Sequence, residues 1–333
     1  MADYINIRGQ SIEVVASDPA NPTLGQIWYN STSNTLKGLG FQSASWASGG
    51  NMGTARYACG AAGTQTAGLA FGGETNPPPS YLTATEEYNG STWTGGGSMS
   101  TGRYNLAGTG IQTAALAIAG TNDSVTFTNT EEYNGSTWTG GGGLPVGKRS
   151  LAAAGTEPAA LAFGGATGTG NVGTTEEYDG STWTSNPTGL NIARAGLAGC
   201  GTQTAALAFG GEVPGVSAAS EEYNGTSWTA GNSMNTARYA LAGAGIQTAA
   251  VAFGGANPAL SPPTTTGATE EYDGTSWATS PASMPIARNL GGGAGTQTAG
   301  LAFAGRTPAT GPKSNTTEEY TGGTPVTQTI TAS

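Results

Sequence analysis

The sequence predicts an all-β fold: a ring of six blades with four antiparallel strands each, closed by an N-terminal strand and preceded by a short β-hairpin leader. Three observations carry this expectation. Glu-Glu-Tyr recurs at 86–88, 131–133, 176–178, 221–223, 270–272 and 318–320, with spacings of 45, 45, 45, 49 and 48 residues. An apolar segment of the type GTQTAALAFGG recurs as often, at 63–73, 110–120, 155–165, 201–211, 245–255 and 295–305. Between these landmarks no amphipathic stretch of helical length occurs, and 57 Gly among 333 residues disfavour helix throughout.

Each repeat reads as four short strands. The first is rich in Gly and Ala, as at 239–244, because the inner strands of all blades would crowd one axis. The second is the apolar run, as at 205–209, ending in Gly-Gly. The third carries Glu-Glu-Tyr and the fourth Ser-Thr-Trp, with Asn-Gly or Asp-Gly between them (Asn89-Gly90, Asp179-Gly180, Asp273-Gly274), a strong signal for a tight hairpin. The Trp residues (Trp93, Trp138, Trp183, Trp228, Trp277) are expected to pack between blades. An Arg is read ahead of each first strand: Arg56, Arg103, Arg149, Arg194, Arg238 and Arg288. Leu106, Leu151, Leu197, Leu241 and Leu290 are expected to point between blades, and Cys59 aligns with them. The last Glu-Glu-Tyr lacks a Trp of its own, whereas Trp46 has no Glu-Glu-Tyr ahead of it. Residues 41–46 are therefore expected to complete the last blade, which removes an open sheet edge.

Gly-Gly after strand two, Tyr in strand three, Trp in strand four and Arg before strand one together resemble the kelch repeat. The resemblance covers about 280 residues, with Ala119-Gly120 and Ala304-Gly305 in place of Gly-Gly and Thr321-Gly322 in place of Asn-Gly. It implies a kelch-like β-propeller, and it implies binding rather than catalysis, since kelch rings generally serve as interaction scaffolds. Residues 22–37 read PTLGQIWYNSTSNTLK: a strand at 26–29, a turn at 30–34 and a strand at 35–37. This resembles a β-hairpin of bacteriophage tail and other virion structural proteins, which implies an attachment element. Residues 4–15 alternate like a strand pair around Arg8-Gly9. The expected organisation is an attachment hairpin at 1–40, a propeller at 41–323 and a C-terminal tail at 324–333.

Composition narrows the chemistry. The chain has no His, which excludes Ser-His-Asp triads, His general bases and the copper site of a galactose-oxidase type propeller. A net charge of −10 argues against nucleic acid, whose phosphates demand clustered Lys and Arg. No apolar run reaches membrane-spanning length, so no membrane insertion is expected, and Met1–Tyr4 lacks the features of a signal peptide. Cys59 and Cys200 lie three blades apart, too far for a disulfide. Strand alternation places Glu86 and Tyr88 on one face and Glu87 on the other. One Glu of each pair is expected to bond the repeat Arg or loop amides; an Arg-lined mouth for an acidic ligand and a calcium site are the alternatives. No catalytic residue, metal or cofactor is expected.

Variation among the repeats concentrates in the loops between strands two and three, such as 74–85, 121–130 and 256–269. These share a face with the four-to-one loops, whose repeated Met52, Met99, Leu144, Leu190, Met234 and Met284 read as anchors. A constant scaffold with variable loops on one face suits a binding surface. Its candidate residues are Pro78, Tyr81, Asn122, Phe127, Asn171, Val213, Leu260, Pro262 and Lys313. The function expected is a non-enzymatic virion structural protein, tail-associated or decorating. Residues 1–40 would bind other virion proteins, the loop face would bind a host-surface glycan or protein, and self-association is allowed. A sialidase-type glycan-processing propeller and a cytosolic kelch adaptor are the competing readings; Asp179–Trp183 matches the sialidase Asp-box turn only in part.

Overall fold

The computed structural model describes residues 12–75, 80–257, 264–307 and 311–330. Among them there is no helix, and the chain divides into two compact units: Ser45–Thr321, and Met1–Ala44 together with Gly322–Ser333.

The larger unit contains six four-stranded antiparallel sheets in a propeller-like arrangement. Sheet one comprises Gly60–Thr64, Ala67–Phe71, Thr85–Tyr88 and Trp93–Gly95, and the next four sheets repeat that order along the chain. Sheet six takes Gly292–Gly295, Ala299–Phe303 and Thr317–Thr321, and its fourth strand is Ser45–Ser48. The register there sets Trp46 opposite Tyr320, as Trp93 stands opposite Tyr88 in sheet one. That strand starts later than the expected 41–46: the Trp–Tyr pairing decides which residues enter the sheet, and Phe41 belongs instead to the smaller unit, where it is exposed. The first strands lie side by side in sequence order, and Gly292–Gly295 also neighbours Gly60–Thr64.

The core lies between neighbouring sheets. Leu161 and Phe163 of sheet three pack with Ala206, Ala208, Tyr223 and Trp228 of sheet four, and equivalent clusters recur around the unit. These contacts add to the crowding between neighbouring first strands, where a Cβ on Gly108 would lie 2.4 Å from the Ala61 carbonyl, as a reason for the small residues of strand one. A Cβ on Gly108, Gly199 or Gly243 would come within 2.6 Å of the Phe71, Phe163 or Phe209 ring of the preceding sheet. Phe71 presses also on its own first strand, at Gly60, as Phe303 of sheet six does at Gly292. Sheet two carries Ile118 in place of Phe, and there both neighbours are Ala (Ala107 and Ala153). Glycine thus stands where an aromatic ring needs the volume.

Just ahead of strand one, Ala58, Asn105, Ser150, Gly196, Ala240 and Leu290 all hold φ between 51° and 60°. Each donates its N–H to the carbonyl of its counterpart in the preceding sheet at 2.7–2.8 Å, and Ala58 donates to Leu290. Leu290 therefore occupies this backbone position and not the inter-sheet leucine position, where sheet six has Gly291. The expected loop anchors (Met52, Met99, Leu144, Leu190, Met234, Met284) are all buried.

In the smaller unit, Ile27–Asn30 and Thr35–Gln42 form an antiparallel hairpin. Glu13–Val15 joins it in parallel with Ile27–Asn30, and Thr324–Thr329 joins in antiparallel with Thr35–Gln42. The expected free tail is thus a strand; its sequence, Thr-Pro-Val-Thr-Gln-Thr, is rich in the β-branched residues that favour sheet. The strand pair expected around Arg8-Gly9 falls mostly outside the described residues. The Trp-Tyr-Asn motif closes on Asp18: buried Trp28 donates through Nε1 to Oδ1 at 3.1 Å, Asn30 through Nδ2 at 2.7 Å, and Lys37 to Oδ2 at 2.7 Å. These donors, Lys37 first, hold the Asp18 carboxyl at about 2.

Candidate functional site

Most repeated polar side chains bond within or between the sheets. The first Glu of each pair meets a buried cation of its own repeat: Arg56 with Glu86, Arg103 with Glu131, Arg194 with Glu221, Arg238 with Glu270 and Arg288 with Glu318, the last four at 3.0–3.1 Å. The same carboxylates accept loop amides, as Gly53 N–H to Glu86 and Asn191 N–H to Glu221, each at 2.6 Å. In the third repeat the buried partner of Glu176 is Lys148, at 2.5 Å. Arg149 is exposed and belongs to the next position, which corrects its assignment to the repeat. Lys148 stands three residues before Leu151, as Arg103 stands three before Leu106, and only a side chain at that distance reaches the carboxylate. Burial lowers the Lys148 ammonium below its ordinary range, and Glu176 opposes the shift.

The second Glu reaches across to the next sheet. The hydroxyls of Tyr133, Tyr178, Tyr223, Tyr272 and Tyr320 donate to Glu87, Glu132, Glu177, Glu222 and Glu271, and Tyr88 donates to Glu319. Burial, then the carboxylate, pushes the Tyr88 and Tyr133 phenols up to about 12, so they remain donors at ordinary pH. Each indole is also tied across: Trp46, Trp93, Trp138, Trp183 and Trp228 donate to a Thr hydroxyl of the preceding sheet and Trp277 to Ser220, at 2.8–2.9 Å. Gln65, Gln112, Gln203, Gln247 and Gln297 each donate to two carbonyls of the preceding sheet. The third repeat has Glu157 there instead, and its carboxyl is raised by burial and by nearby Glu132.

The residue after each buried cation breaks the repetition: Tyr57, Tyr104, Arg149, Ala195, Tyr239 and Asn289. Each bridges to the start of its own two-to-three loop, at Glu74, Thr121, Ala166, Glu212, Ala256 and Arg306. A contiguous cluster forms there. The Arg306 guanidinium lies 3.7 Å over the Tyr57 ring, and Lys313 lies 4.6 Å from it. Tyr57 donates to Glu74, which also pairs with Lys313 at 3.0 Å. Tyr57 is 6.1 Å from Tyr104, which stacks on Tyr81 at 5.5 Å with 13° between the planes. Tyr104 and Tyr81 both donate to Asp123, the latter at 2.6 Å. Asp123 takes φ of 66°, a conformation Asp tolerates better than most residues. The two hydroxyls, Tyr104 first, hold its carboxyl below the usual range, with Arg149 adding to the effect.

Of the loop residues singled out in the sequence, Tyr81 and Lys313 enter this cluster. Asn122 neighbours it and caps a turn, accepting the Val125 N–H at 2.8 Å. Phe127 and Val213 are half-buried in their own loops, and exposed Asn171 donates to the Glu212 carbonyl at 2.8 Å. Pro78, Leu260 and Pro262 lie outside the described residues. Sequence reasoning passed over Tyr57, Tyr104, Asp123, Arg149 and Arg306; the signal available was the non-repeating residue directly after each repeat cation.

Cys59 and Cys200 are free and buried, and burial raises the Cys59 thiol to about 11. Along the first strands, cavities of about 120, 110 and 130 Å³ are each lined by all six sheets, the last almost wholly by Gly and Ala. A scan of known protein families returns no match for the sequence, and a search of characterised proteins returns no relative.

Proposed function

We propose that this chain is a non-enzymatic binding protein built on a closed, six-bladed, kelch-like β-propeller, and that it serves as a virion structural protein displaying its loop face to a host surface. The circular order of the Tyr–Glu and Trp–hydroxyl bonds, with Tyr88 joined to Glu319 and Trp46 to Thr269, supports closure through Ser45–Ser48. One observation carries the binding reading. Of 11 Lys and Arg residues, Arg8 and Lys37 fall in the leader and six are the buried repeat cations. The remaining three, Arg149, Arg306 and Lys313, stand on the loop face: Arg306 and Lys313 lie against the Tyr57 ring, and Arg149 bridges to Ala166 at the root of its own loop.

The attachment role rests on the resemblance of residues 22–37 to phage tail hairpins. The compact unit formed by Met1–Ala44 and Gly322–Ser333 supports it, since a separate small unit suits a mount. Its partners would be other virion proteins. Immunogold labelling of purified particles tests the location: labelled particles support the virion role, and particles devoid of the chain overturn it. Adsorption of the purified chain to host cells, lost on substitution of loop-face residues, tests the display role.

A further inference from the structure

We infer that the Arg306–Tyr57–Tyr104–Tyr81 cluster is a binding site for an acidic glycan, a pyranose bearing a carboxylate. The inference rests on the reading of the loop face as the binding surface and adds the place and the ligand class. Two features point to a sugar. Tyr81 and Tyr104 are half-exposed rings stacked with 13° between their planes, and an aromatic face is the kind of surface against which the C–H face of a pyranose packs. Their hydroxyls are oriented by Asp123, so the rings are held before a ligand arrives.

One feature points to a carboxylate. Arg306 is half-buried over Tyr57 and, among the described residues, has no carboxylate partner; Glu74, the nearest acid on that side, is already engaged by Lys313 and Tyr57. A guanidinium fixed against an aromatic face keeps its fork available for two parallel bonds to a carboxylate. Arg149, which lowers the Asp123 carboxyl from the other side, keeps the far end of the stack from being purely acidic.

The test is titration calorimetry of the full chain with sialyllactose and oligogalacturonate, each against a neutral counterpart, lactose and galactose oligomers. Acidic sugars should bind at least tenfold more tightly than neutral ones, and added salt should narrow the gap. Arg306→Gln should remove that preference, Arg306→Lys should restore part of it, and Tyr81→Ala should weaken both classes, with unfolding temperatures unchanged. Equal binding of neutral sugars, or acidic binding that survives Arg306→Gln, overturns the inference while leaving the binding reading intact. Absence of any sugar binding, or binding of an acidic peptide in its place, overturns the glycan class. Host-cell adsorption that ignores every loop-face substitution overturns the underlying reading as well.

Discussion

Arg56 and Tyr57 are neighbours in the chain and opposites in behaviour. Arg56 is fully buried, faces Glu86, and has a cationic counterpart in every repeat. The position of Tyr57 holds four residue types among the six repeats, Tyr three times and Arg, Ala and Asn once each. The difference follows from what each side chain touches. A cation among carbonyls and a carboxylate in a dry interface has one geometry that satisfies it, so repetition is enforced. A side chain at the root of a loop meets only that loop and its neighbours, and each repeat can differ. The six-sheet scaffold is thereby insulated from the surface it carries.

Four tests would break or sharpen that contrast. Arg194→Ala leaves Glu221 buried without its partner and should cost about 3–5 kcal/mol in urea unfolding; a loss below about 1 kcal/mol would show that the ladder is dispensable. Gly199→Ala drives a methyl to 2.4 Å from the Phe163 ring and should cost roughly 1–3 kcal/mol. Combined with Phe163→Ile, which copies the Ile118–Ala153 pairing, it should lose less than the sum of the two single changes. Glu157→Gln should raise stability by about 1 kcal/mol at pH 7 by supplying the amide bonds of the other repeats. The Glu157 carboxyl is raised in the fold, so its ionised form is penalised at neutral pH and the penalty vanishes as pH falls below the ordinary 4.5. The gain should therefore shrink toward pH 4, and a gain that grows there would refute the account. Asn171→Ala, on a loop remote from the ladder, should change stability by no more than about 0.5 kcal/mol.

The scaffold was legible because its signals recur. Glu-Glu-Tyr, Trp and the Asn-Gly step each mark one strand or turn, and six copies in register remove the ambiguity of any single one. Where the reading slipped, it slipped by small offsets: Arg149 for Lys148, Leu290 for Gly291, 41–46 for Ser45–Ser48. Each time a prominent side chain was matched in place of the distance to the neighbouring landmark. The Gly–Phe complementarity escaped notice because it joins residues of different repeats. The loop-face cluster was less legible still. It gathers residues from the first, second and sixth repeats, with Arg149 of the third alongside, through loops that share no period, so nothing short of the fold brings them together.

The six residues from Ala58 to Leu290 that pass N–H to C=O from one sheet to the next have a consequence for the field inside the unit. In a helix, aligned amides also point head to tail, but they stop, leaving bare donors at one end and bare acceptors at the other, and a dipole between them. Amides aligned around a circle have neither terminus. Each can polarise the next without leaving a group unsatisfied, and moments arranged tangentially cancel around the circuit. The space beside this circuit, lined by all six sheets, is therefore framed by strongly polar groups whose circumferential components cancel. Net charge is carried instead by side chains standing outside the circle, among them Arg149, Arg306 and Lys313.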